Sequence, residues 1–116
     1  MKKIVLLSLV FLPFLGNASP FPKQAEEEKS EKFCRGWMDI AESIMAEKQK
    51  GTSLSIMLKS SDSMKSKEDE RLIRTIIRDA YSQPSYSTPS IKKEQLNEFA
   101  ARYYLNCIDV VQKSSS

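Results

Sequence analysis

The chain has 116 residues, a formal net charge of +3, two cysteines, three glycines and no histidine. That length suits one small domain, a size that gains from a covalent staple. The absence of histidine removes histidine-dependent triads, HExxH zinc sites and the side chain best suited to proton transfer near neutral pH, and so few glycines leave no phosphate-cradling loop to defend.

Residues 1–18 read as a cleaved secretory signal: Met1-Lys2-Lys3 is a short basic start, Ile4 to Leu15 is apolar, and Gly16-Asn17-Ala18 supplies small residues before a cut after Ala18. A membrane anchor is the rival reading, but a run of about a dozen apolar residues falls short of the roughly 20 a spanning helix needs. Ser19 stands where a lipid-modified cysteine would. The mature chain is therefore expected in the periplasm or secreted, without stable membrane insertion. Removing Lys2 and Lys3 brings it near charge balance, Lys92-Lys93 and Lys65-Ser66-Lys67 read as solvated faces, and no nucleic-acid partner is expected. In an exported chain the isolated pair Cys34 and Cys107 is expected to form a disulfide, two buried free thiols being the alternative. Closing so long a loop restricts the unfolded chain by about 4 kcal/mol in the entropic account.

Residues 19–32 hold two prolines and Glu26-Glu27-Glu28 with almost nothing apolar, which predicts a flexible or helical lead-in. The helical domain follows over 33–112. In its first helix Phe33, Cys34, Trp37, Met38, Ala41, Ile44 and Met45 recur at the three-and-four spacing of one face, and Gly51 is the stop. Thr52 or Ser53 then caps a short second helix carrying Leu54, Met57, Leu58 and Met64. Ser66 followed by Glu68, Asp69 and Glu70 opens a third, with Leu72, Ile73, Ile76, Ile77, Ala80 and Tyr81 as its stripe and Pro84 as its stop. A loop of prolines and serines carrying Tyr86 leads to Thr88-Pro89, the N-cap and first residue of a fourth helix. There Leu96, Phe99, Ala100, Tyr103, Cys107 and Val110 share a face, and 113–116 form a disordered tail.

The expected fold is all-α, a small bundle of three to four helices with the first and last antiparallel and joined by the Cys34–Cys107 bridge. Equal steps away from that bridge set Trp37 near Tyr103 and Tyr104, Ala41 near Ala100, and Met45 near Leu96. No strand-like alternation or internal repeat competes.

The signal peptide, Cys34, Ala41 with Ile44-Met45, Lys48-Gln49-Lys50-Gly51, Ala80-Tyr81 with Pro84, then Phe99 and Cys107 resemble a family of small uncharacterised secreted proteins of bacteria and phages. In that family a basic residue followed by Gln-x-Gly closes the first helix and Ala-Tyr-x-x-Pro closes a later one. Members often carry arginine where Lys48 and Ser85 stand here, and lysine lacks the planar fork, so no fixed guanidinium contact carries over. The resemblance implies a compartment and an architecture, with no biochemical activity or cofactor.

Asp39 and Glu42, one turn apart, are the only pair to suggest a small hydrolase, yet they fall on a polar helix face and not across a cleft. Met38, Met45, Met57 and Met64 read as core fillers before a soft-metal site. Two distant cysteines make neither a zinc cage nor a redox motif. No catalytic, metal or cofactor site is assigned. An up-and-down arrangement instead gathers Gln49, Gly51, Tyr81, Pro84 and Tyr86 at the end opposite the disulfide, the material of a protein contact. The same residues also read as a helix cap, a helix stop and a last core position. The expected function is a non-enzymatic binding module for an envelope or phage protein, an inhibitor or regulator; the rivals are an envelope stress protein or chaperone, and the hydrolase.

Overall fold

A computed structural model describes residues 20–115, with side chains from Gln24 to Ser114. The expected signal at 1–18 lies outside the described residues, as do Ser19 and Ser116. Four helices follow one another: α1 (Pro20–Lys50), α2 (Leu54–Ser61), α3 (Lys67–Ser82) and α4 (Pro89–Ser115). There is no strand among the described residues. The long helices α1 and α4 form the dominant pair, α3 leans on α1, and α2 rests on α3.

The α1–α4 pair is antiparallel, and Cys34 and Cys107 are bridged with their Cα atoms 5.6 Å apart. At the other end Gln49 Nε2 donates to the Lys92 carbonyl at 2.8 Å. Lys92 lies as many residues before Cys107 as Gln49 lies after Cys34, so the register set by the bridge holds along the whole seam. Ala41, Ile44 and Met45 of α1, Ile76, Ile77 and Ala80 of α3, and Phe99 of α4 form the buried core, with Trp37, Leu96 and Tyr103 packed against it. Ala100 is buried as well, beside that seam.

Local chemistry accounts for the helix ends. Ser53 and Ser66 are N-caps, accepting from the Ile56 and Asp69 amides at 3.2 Å each. Gly51, at φ +99°, ends α1 in a Schellman motif, its own N–H donating to Lys48 O and that of Thr52 to Glu47 O, both at 3.0 Å. The end of α2 is pinned to α3 by Arg74, which pairs with Asp62, lies 3.0 Å from Glu70, and donates through Nε to Ser61 Oγ at 3.2 Å.

Of the two forms expected for the lead-in 19–32, the chain takes the helical one from Pro20: prolines in a first turn forfeit only N–H groups that would have no partner there, and Glu31 pairs with Arg35 one turn on at 2.9 Å. Three expectations need correction. The tail is helical through Ser115, held by Lys113–Asp109 at 3.0 Å and by Ser114 Oγ donating to Val110 O at 3.0 Å. Met64 lies outside α2, which ends at Ser61. Phe33 and Val110, placed on apolar stripes by their spacing, are 57% and 61% exposed. Phe33 precedes Cys34 and so turns by about 100° from the α4 seam.

Tyr103 ties α4 to α3 by donating its hydroxyl to Asp79 Oδ2 at 2.7 Å. Burial first, then the hydrogen bond to Asp79, raises the Tyr103 phenol well above its usual pKa. The folded chain thus keeps a proton that the unfolded chain loses above about pH 10, and stability falls as pH rises past that point. Urea titrations of Tyr103→Phe against pH should show a loss of about 1 kcal/mol at neutral pH and a shallower alkaline decline. Reducing the bridge should lower stability by about 4 kcal/mol, read from urea midpoints with and without reductant.

Candidate functional site

The end of the bundle opposite the disulfide brings together the last turn of α1, the end of α3 with its following loop, and the first turns of α4. Lys48 reaches across from α1, its ammonium donating to the Gln83 carbonyl and to the Pro84 carbonyl, the latter at 3.1 Å. A cation just past the C-terminus of α3 complements the negative end of that helix dipole. Burial lowers the Lys48 pKa, while the two carbonyls favour its charged form.

Gln95 is the hub of this end and is 8% exposed. Its amide nitrogen donates to Pro84 O at 2.9 Å and to Gln83 Oε1 at 3.4 Å, and its Oε1 accepts from Gln49 Nε2 at 3.0 Å. On the α1 side Tyr81 donates its hydroxyl to Thr52 O at 2.7 Å, and Thr52 Oγ1 donates to Glu47 Oε1 at 2.8 Å. Burial, with the Glu47 charge behind it, raises the Tyr81 pKa; the Thr52 hydrogen bond, then Lys50, lowers that of Glu47.

Of the five residues gathered by sequence, Gln49, Tyr81 and Pro84 meet in this polar knot, and Gly51 shapes the turn beneath it. The Gln49 amide nitrogen and the Tyr81 hydroxyl are engaged within the chain, so these two residues build the site and do not present it. Tyr86 has the opposite character. It is 42% exposed, as is Ile91. Both rim an open groove of about 300 Å³ that continues along α4 past Glu94 and Glu98 to Arg102. Arg102 closes that end, 5.4 Å above the Phe99 ring and 3.9 Å from Asp79.

Sequence reading passed over Lys48 as a contact, and Gln95, Ile91, Glu94 and Glu98 altogether. The bridge register pointed to part of this, because it sets Gln49 opposite Lys92, one turn before Gln95. Asp39 and Glu42 are exposed on α1. Met45 is in the core and Met57 packs against it, while Met38 and Met64 are half-buried. No described helix is long and apolar enough to cross a membrane. The chain matches no known family, no curated protein and no solved structure.

Gln95→Leu removes the hub and its hydrogen bonds to Gln49, Gln83 and Pro84, leaving Gln49 only the Lys92 carbonyl and Pro84 only Lys48. Chemical denaturation should show a loss of about 1–2 kcal/mol, more than one surface hydrogen bond is worth.

Proposed function

We propose that the protein is an exported, non-enzymatic binding module, an inhibitor or regulator that grips an envelope or phage protein through the Tyr86–Ile91 groove. The observation that carries this reading is an exposed tyrosine and an exposed isoleucine beside a loop whose backbone is clamped: both the Gln83 and the Pro84 carbonyls are held by side chains from other helices. An aromatic anchor on a rigid support loses little conformational freedom on binding, which is how small surfaces reach useful affinity. The segments Lys48-Gln49-Lys50-Gly51 and Ala80-Tyr81 to Pro84, on which the resemblance to exported phage-linked proteins rests, supply two of the three sides of that support. Export also accords with the disulfide, a bond of oxidising compartments. Glu94 and Glu98 along the groove favour a partner segment with a basic side chain.

A photoreactive residue at Tyr86, activated in cells, should crosslink to one discrete envelope or phage protein, and Ile91→Asp in the same chain should abolish that product. The same probe at Lys59, exposed on α2, should not give it. Identical capture at both positions, or none at Tyr86, would remove the proposal.

A further inference from the structure

Gly36 occupies the interior of a 31-residue helix, where glycine costs about 0.5–1 kcal/mol relative to alanine. A Cβ built there would meet nothing within 4 Å. No contact within the chain needs the missing side chain, so its use lies with something that approaches from outside.

The residues around Gly36 describe that visitor. One turn to either side on the same helix face stand Phe33 and Ile40, and along the face's other edge stand Lys32 and Asp39. Phe33 is 57% exposed, with Trp37 edge-on to its ring at 6.4 Å between centroids. Beside Ile40, the junction of α1, α2 and α3 opens a mainly apolar groove of about 250 Å³ lined by Ile40, Ile44, Met57, Ile73 and Ile77, with Asp39 and two serines also at it. Lys32 and Asp39 are both exposed, and neither forms an ion pair among the described residues.

We propose that a second copy of this chain packs across α1, antiparallel, on a two-fold axis at Gly36. Such an axis inverts position along the helix and keeps the edge. Each Lys32 then meets the partner's Asp39, and each Phe33 falls beside the partner's Ile40, at the mouth of its apolar groove. The two glycines face each other on the axis, where the absence of side chains lets the backbones come close. A parallel arrangement would swap the edges, set each charge against the partner's apolar edge and leave Phe33 without its groove. The pattern is self-complementary in charge, in shape and in the placement of the small residue, and that selects a second copy over an unrelated helix. This face does not include the Tyr86 groove, so self-association and partner capture stand or fall separately.

Sedimentation equilibrium on the exported, disulfide-bonded chain tests the proposal. The wild type should dimerise reversibly. Gly36→Leu should raise the dimer dissociation constant by about tenfold or more, while the thermal midpoint of the dilute monomer rises because leucine is the better helix former. Lys32→Glu and Asp39→Lys should each weaken the dimer, and the two together should restore it by exchanging the ends of the same ion pair. A wild type that stays monomeric at every concentration, or a dimer indifferent to Gly36→Leu and to both charge reversals, overturns it.

Discussion

The antiparallel seam between α1 and α4 is the constraint on which the other features depend. A bridge near one end of two long helices leaves them one translational register, and the alanines at 41 and 100 keep the seam narrow enough for that register to persist. Because it persists, the last turn of α1 arrives opposite the first turns of α4, and Gln49 meets the Lys92 carbonyl and Gln95. A shift of one residue would turn Gln49 by about 100° away from both acceptors. The covalent link at one end is thus the reason a polar network of defined geometry can form at the other.

That network has a specific task. The segment between α3 and α4 carries Pro84 and two serines and has no regular structure to hold its backbone. Its carbonyls at 83 and 84 take donors from Lys48 on α1 and Gln95 on α4 instead. Buried or part-buried carbonyls without partners would cost more than the hydrogen bonds themselves return, so the loop's path and the side chains that bond it are mutually dependent. Tyr86 inherits its position from this arrangement. The aromatic ring is exposed at a place fixed by three helices, which distinguishes it from the exposed apolar residues of α2, Leu54 and Ile56.

What the sequence disclosed and what it hid follow from the range of the interactions. Apolar periodicity marked α3 and the buried halves of α1 and α4, because burial writes itself at helical spacing. Gly51 and Ser66 were legible as caps, since their chemistry acts within a turn of their own position. The extension from Pro20 stayed open between flexible and helical because a solvent-exposed helix needs no apolar stripe. Lys48 and Gln95 were hidden for another reason: each bonds a carbonyl in a loop whose course depends on tertiary packing, and a backbone carbonyl is the same at every position in a sequence. Phe33 shows the reverse error. Its spacing fits the stripe, but an adjacent residue already occupies the seam.

Gly36 and Gly51 separate two meanings of one residue type. At Gly51 the positive φ supplies the reason, and the Schellman hydrogen bonds show what the conformation achieves. At Gly36 the backbone is ordinary helix and the space beside it is empty, so neither conformation nor internal packing accounts for the choice. A residue that weakens the folded chain without serving it inside is informative about its outside. Close to Gly36, α1 carries an exposed aromatic ring, one charge of each sign without an ion pair among the described residues, and the edge of an apolar groove. These are the properties of a surface that another helix completes, and they occur on the longest of the described helices, the one whose position is fixed by both the disulfide and the polar knot.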